Sequence, residues 1–307
     1  MVIIKSILYI YEADNKLIEG AVKDIALITG PSRYCKTAEF KEQYSKFDYI
    51  CFVLSENKCS SQILEFIYNN IGWLKEKKTV LFYNAHDSKI HISLCIKEIH
   101  KLLDKNLIYE DCFYFDKDEL KIKKFNNKPK EYGYKLMELK EHFIKYAADI
   151  RSIMEDDIKK YPKELLKNKV EEFLNLHSTC TLCTASNDMV IGTPIEYIYE
   201  NGKIYIITEG GRKFINLLRN DNVSIAVYEN YSGFANLEGL QLSGIATIID
   251  YNDYEYDEII KLKKLDPKNI KKLNMLMNVI KIDLYRATFL SADIKKEGYE
   301  AKQVMIF

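Results

Sequence analysis

These 307 residues lack a net charge: 45 Lys and Arg stand against 45 Asp and Glu. A dedicated nucleic-acid binder carries a basic excess, so the balance argues against one and leaves only local patches. No apolar run approaches ~18 residues, so no membrane-spanning helix is expected. The opening apolar run, Val2 to Tyr11, is interrupted by Lys5 and followed by no small-residue cleavage site, which argues against a signal peptide. Glycine (12) and proline (5) are scarce, and no low-complexity tract or internal repeat occurs, so no floppy linker is expected. The seven cysteines are odd in number and scattered. Without an export signal they read as reduced thiols, and the expected location is the cytoplasm. What is present, 47% hydrophobic and 29% charged residues, is the mixture of a soluble globular protein long enough for two domains.

Residues 1–148 alternate apolar runs with amphipathic stretches. Ile3 to Tyr11, Tyr49 to Leu54, Thr79 to Tyr83 and Cys112 to Phe115 read as strands, the longer ones apolar throughout as in parallel sheets covered on both faces. Leu17 to Ile28, Gln62 to Lys75, Ile92 to Leu103 and Glu131 to Tyr146 read as helices. Strand and helix alternating at this spacing give a doubly wound α/β sheet, and the order resembles flavodoxin. The resemblance rests on pattern, because the phosphate loop of that family is missing. In flavodoxins the loop after the first strand is rich in Ser, Thr and Gly. Here it is Glu12-Ala13-Asp14-Asn15-Lys16, with two carboxylates to repel a phosphate and no glycine to let backbone N–H groups approach. The next strand leads into Ser55-Glu56-Asn57-Lys58-Cys59, which holds no aromatic to stack on a flavin. The expectation is a flavodoxin-like domain without its own flavin, kept for docking or assembly.

Residues 149–162 form a helical connection that Tyr161-Pro162 punctuates, and the second domain takes residues 163–307. Its first helix, Lys163 to Leu176, is amphipathic. Short strands and tight turns follow: Thr179 to Ala185, Val190 to Tyr199, the turn Glu200-Asn201-Gly202, Lys203 to Thr208, Val223 to Tyr228 and Leu240 to Asp250. Between the third and fourth strands lies Thr208-Glu209-Gly210-Gly211-Arg212-Lys213, which opens a short helix, Phe214 to Arg219. A strand delivering a Gly-Gly turn, two cations and a helix start has the makings of a phosphate cradle.

The ordered set T-L-C-T-A-S, P-I-E-Y-I-Y-E-N-G-K-I-Y-I-I-T-E-G-G-R-K-F-I-N-L, N-V-S-I-A-V-Y and G-F-A-N-L-E-G-L-Q-L-S-G-I-A resembles the FMN-binding split barrel of the pyridoxamine 5'-phosphate oxidase superfamily, over about residues 163 to 290. The resemblance implies a six-stranded antiparallel split barrel with short helices. It implies FMN as cofactor, with Arg212 and Lys213 on the phosphate beside Thr208 and Gly211. Leu182, Cys183 and Thr184 would lie along the isoalloxazine and offer backbone groups, Gln241 would approach from the fifth strand, and Asn216 would assist. It also implies a homodimer with FMN at the subunit interface, for which Met275-Leu276-Met277 and Val304-Met305-Ile306-Phe307 offer apolar surface.

Other residues carry plainer readings. Cys180 and Cys183, three apart on a strand, face opposite ways, which disfavours a disulfide or a zinc half-site. His177 reads as a cation at a helix C-terminus, and Tyr228 and Tyr231 as packing residues. No acid–base residue stands out, and Ser291 to Phe307 holds Lys295, Lys296 and Lys302 but no arginine for a second phosphate, which argues against vitamin B6 oxidation. The expected function is an FMN-dependent reductase of flavins, nitro compounds or quinones, with NAD(P)H or a redox protein as electron donor and no nucleic-acid or membrane partner. The alternatives are a non-catalytic FMN-binding or flavin-sensing protein and a haem-binding split barrel.

Overall fold

The computed structural model describes residues 5–12, 16–55, 61–85, 94–114, 129–230 and 232–307. The loop expectations at Ala13 to Asn15 and Glu56 to Cys59, and Tyr231, lie outside the described residues. The chain divides into two compact units, Ile4–Ile158 and Lys159–Phe307.

The first unit is a parallel sheet of five strands in the order β2-β1-β3-β4-β5: β1 (Ile7–Tyr11), β2 (Ser32–Lys36), β3 (Tyr49–Ser55), β4 (Lys78–Ala85) and β5 (Leu107–Tyr114). Its helices are α1 (Lys16–Thr29), α2 (Ser61–Leu74), α3 (Leu94–Leu103) and α4 (Pro129–Asp156). The central strands alternate between two buried faces. Tyr9, Tyr49, Cys51, Val53 and Phe82 pack with α1 and α4 through Val22, Ile25, Phe143 and Tyr146. Leu8, Ile10, Ile50, Phe52 and Leu81 pack with α2 and α3 through Ile63, Ile67, Ile96 and Ile99. Burial on both sides is why these strands are apolar at nearly every position. The sequence misses β2, because Ser32-Arg33-Tyr34-Cys35-Lys36 is a half-exposed edge strand with a single buried residue, Cys35. It also divides α4, which runs unbroken from the expected closing helix into the expected connection.

The second unit begins with α5 (Lys163–Leu176) and continues as an antiparallel sheet. The strands are β6 (Thr179–Ser186), β7 (Met189–Glu196), β8 (Ile198–Glu200), β9 (Lys203–Thr208), β10 (Asn222–Tyr228), β11 (Glu238–Ile249), β12 (Asn278–Ser291) and β13 (Lys302–Ile306). Their order is β7-β6-β10-β11-β12-β9-β8, with β13 also on β12. The sheet curls round one core, to which β6, β9, β10, β11 and β12 contribute Leu182, Ile206, Ile225, Leu242 and Ile282. This is the expected split barrel, with eight strands among the described residues where the sequence suggested six. Buried Tyr197 parts β7 from β8, its amide hydrogen-bonded to Ser178 and its hydroxyl to Leu174 O. The 14-residue β12 serves two partners in turn, β9 along residues 278–283 and β13 along 286–290. The short helices are α6 (Lys213–Leu217), α7 (Tyr254–Leu262), α8 (Pro267–Ile270) and α9 (Ala292–Lys296).

Candidate functional site

The turn between β9 and α6 is built on backbone that glycine alone adopts easily. Gly210 and Gly211 have φ of 130° and 109°. The turn folds the chain back so that Lys213 reaches the end of the strand it has just left. Its Nζ donates to Thr208 Oγ1 at 2.9 Å and also to Gly210 O. Lys213 and Thr208 are both buried. The acceptors are neutral, and among the described residues Lys213 forms no ion pair with a carboxylate. Burial lowers the Lys213 pKa from its ordinary value, against a weaker opposing pull from the Glu209 charge. Arg212 precedes α6 and is exposed.

Asn216, offered by the sequence as a cofactor helper, is fully buried and engaged in holding the fold. Its Nδ2 donates to Thr184 O at 3.0 Å and Thr184 Oγ1 at 3.2 Å, and its Oδ1 accepts from Ser186 Oγ at 2.7 Å. Asn220 adds a second tie, donating to Ala185 O at 2.8 Å. Together they hold α6 against the end of β6, so Asn216 positions the Arg212-Lys213 pair.

Strand β6 carries the next three candidate residues. It pairs with β7 along its whole length and with β10 from Thr181 to Thr184. Leu182 and Thr184 point into the barrel and are buried, and Thr184 O already accepts from Asn216. A strand flanked on both edges has its peptide groups engaged in the sheet, so what Leu182, Cys183 and Thr184 present on its two faces is chiefly their side chains. Cys183 is turned outward. Across the sheet it lies in register with Ser224 of β10, Ser243 of β11 and Arg286 of β12. The adjacent row runs Thr181, Ala226, Gln241, Thr288. Gln241 therefore stands on the outer face of the barrel, in a row of small and hydroxylic side chains. The structure brings together Thr208, Gly211, Arg212 and Lys213 in one turn, and Cys183 and Gln241 on one outer face. Arg286 and the rows around it escaped the sequence reading; the alternation of β12 (I-D-L-Y-R-A-T-F-L) was the available signal.

The remaining cysteines and histidines hold to plain roles. Cys180 is buried, its thiol pushed up to about 12 by burial, and both Cys180 and Cys183 are free. His177 caps α5, its Nδ1 placed 2.8 Å from Phe173 O and its Nε2 3.6 Å from Glu229. Among the described residues no cluster of metal ligands occurs, and no helix is long and apolar enough to cross a membrane.

Residues 166–274 match the sequence model of the family described as pyridoxamine 5'-phosphate oxidase. No curated protein matches. Among solved structures, the chain is similar to an FAD-binding protein from Mesorhizobium loti at 15% identity, covering 40% of this chain and 90% of that one with a TM-score of 0.33. A haem storage protein from Vibrio cholerae, HutZ, is similar at 14% identity over 39% of this chain and 89% of that one, with a TM-score of 0.34. A NimC/NimA family protein from Clostridium acetobutylicum is similar at 17% identity, over 40% and 84% of the two chains, with a TM-score of 0.32. The family match falls within the second unit, whose fold is a split barrel, preceded in the sequence by a parallel sheet of the flavodoxin-like kind.

Proposed function

We propose that the second unit binds FMN and that the protein is an FMN-dependent oxidoreductase. The observation that carries this reading is Lys213, a buried ammonium held by two neutral oxygens, with no carboxylate in ion-pair contact among the described residues. A buried cation without a counter-ion is costly, and a phosphate at the Gly210-Gly211 turn removes the deficit. Lys213 and Arg212 would take the phosphate, with the Thr208 hydroxyl orienting the lysine. Cys183 and Gln241, on the outer face, would border the ring. Asn216 keeps the turn in place. When bound, FMN supplies the redox chemistry, and the protein supplies position, access and electrostatics.

A homodimer fits the outer face of the barrel, where the small side chains of Thr181, Cys183, Ser224 and Ala226 leave room for a flat ring between two copies. Exposed Tyr285, Ile306 and Phe307 extend that face. Reduced nicotinamide or a reduced protein would supply electrons to a flavin, nitro-compound or quinone acceptor. The haem-binding alternative gains nothing from His177, whose ring lies against Phe173 with both nitrogens near oxygen partners.

The test compares FMN with riboflavin, which differs by the phosphate. Charge-assisted hydrogen bonds favour FMN by roughly 10–100-fold. Replacing both Arg212 and Lys213 by Ala should remove that preference while the barrel still melts cooperatively. Equal binding of both flavins by the unaltered protein would sink the reading. Steady oxidation of NADH or NADPH with a quinone or nitro acceptor separates an enzyme from a binding protein.

A further inference from the structure

The excursion between β11 and β12 has a composition unlike the rest of the chain. Residues 261–277 read K-L-K-K-L-D-P-K-N-I-K-K-L-N-M-L-M, six lysines against one aspartate, in a protein of zero formal charge. The carboxylates of α7 offset only part of the surplus. Glu258 pairs with Lys261, Asp257 with Lys271, and Glu255 with Lys281 of β12. Lys263 pairs with Glu196. Lys264, Lys268 and Lys272 are exposed and form no ion pair among the described residues. Leu265 lies between them in the chain, and Leu273, Met275 and Leu276 follow, all exposed. Exposed apolar side chains interspersed in one short segment with unpaired lysines have the make-up of a cationic protein-docking patch.

The register fixes where this segment ends. The last residue of β9, Thr208, pairs with the first of β12, Asn278, and Asn278 Nδ2 donates to Thr208 O at 3.3 Å. The residues entering β12 therefore run beside the Gly210-Gly211 turn. The C-terminal end of the segment, at Met277, therefore adjoins the turn that holds Lys213.

We propose that residues 261–277 are the docking surface for a small acidic one-electron carrier protein that reduces the cofactor. The inference rests on the flavin reading of the neighbouring turn for its purpose, though not for its charge complementarity. Surplus lysines steer an acidic partner and set its orientation. The apolar centre gives the short-lived contact its cohesion, within the small interface usual for electron-transfer complexes. An anionic bilayer fits less well. The apolar side chains here are 41% to 57% exposed, half covered by their neighbours, whereas insertion needs side chains as bare as Leu218 of the turn after α6, at 77%. In the reaction, two carriers dock in succession and each is oxidised by one electron. With two protons from solvent, these complete the two-electron reduction of the flavin.

The test uses the full chain carrying FMN and measures binding of an acidic [4Fe–4S] ferredoxin, and of an acidic flavodoxin, by calorimetry at low and raised salt. Binding is expected at low salt, weakened by salt, and weakened roughly tenfold or more when Lys264, Lys268 and Lys272 are all replaced by Glu. That variant should keep its flavin and its melting temperature. Leu273→Ser with Met275→Ser should weaken docking and leave the salt response. The Arg212→Ala, Lys213→Ala variant should lose flavin and still dock the carrier, so failure of the cofactor reading and failure of this one give different results. Absence of salt-dependent binding to either carrier overturns the proposal, as does equal binding by the triple variant. So does binding of the patch to anionic vesicles in place of the carriers, or self-association of the chain that the Leu273 and Met275 replacements abolish.

Discussion

Lys213 Nζ lies 2.9 Å from Thr208 Oγ1, across a turn whose two glycines both have positive φ. The bond closes a small ring of chain from the end of β9 to the start of α6 and fixes a positive charge in a buried place. It also explains why the turn is glycine at both positions. A side chain at either would be strained at these angles, and relaxing the backbone would pull Lys213 away from Thr208.

Replacing Lys213 by Met should therefore separate stability from ligand binding. The methionine fills similar volume without a charge, so the flavin-free protein should gain roughly 1 kcal/mol, while its preference for FMN over riboflavin disappears. The pH dependence follows from the lowered pKa of Lys213. Between its folded value and the unfolded value near 10.5, the unfolded chain binds more protons, so this group's contribution to stability rises with pH. Denaturation of the wild-type protein and Lys213→Met across the alkaline range should show their difference narrowing as pH rises. A difference that stays constant would mean Lys213 carries no buried-charge penalty.

Asn216→Ala removes three hydrogen bonds at once and leaves Thr184 O and Ser186 Oγ without that partner. Unsatisfied buried groups cost about 1–3 kcal/mol. Thermal melting of the second unit should fall accordingly. Asn216→Asp should not rescue it, because a carboxylate cannot donate to Thr184 O. A variant with unchanged melting would place the anchoring of α6 elsewhere.

What the sequence shows and what it conceals divide along physical lines in this chain. The double-sided strands Tyr49 to Leu54 and Thr79 to Tyr83 are legible because burial on both faces makes every position apolar. Edge strand β2 is concealed because only Cys35 among its five residues is buried. The turn at Gly210-Gly211-Arg212-Lys213 is visible as a motif, and the positive φ of both glycines accounts for their place in it. The jobs of Asn216 and of the β6 backbone were not visible. Whether an asparagine faces a ligand or a neighbouring strand depends on contacts 30 residues away, as with Ser186. For Arg286 the alternation of β12 hints at an outward face, but its neighbours across the sheet, Ser243 and Ile306, come only from the pairing with β11 and β13.

Gly244 marks the bulge where β11 slips against β12. A Cβ built there would stand 2.6 Å from Ile282 Cγ2 and 2.8 Å from Asp283 O. The second contact is backbone and cannot turn aside. Gly244→Ala should therefore push the two strands apart at the point where β12 leaves β9, at a cost of about 1–3 kcal/mol. Urea denaturation followed by a signal from the second unit would detect it. Because Gln241 and Ser243 lie in the same stretch, riboflavin binding should weaken along with stability. Unchanged denaturation would show that the bulge relaxes freely.

In the first unit, Asp157 accepts from both Tyr49 and Lys78, joining the residue after α4 to the starts of β3 and β4. Burial on its own would raise the Asp157 carboxyl, but the bonds from Lys78 and Tyr49 and the charges of Lys78 and Lys5 outweigh it and hold the carboxyl below its usual value. The same contact, with burial first, raises the Tyr49 hydroxyl. A carboxyl depressed in the folded state gives stability that is complete above the unfolded value, about 3.9, and is lost as pH falls through the folded value. Asp157→Asn should cost about 1–3 kcal/mol at neutral pH and much less in strong acid. Acid titrations of the two proteins, followed by aromatic circular dichroism, should converge as pH drops. Parallel curves would mean that the tie holds through its shape and hydrogen bonding, with the charge contributing nothing.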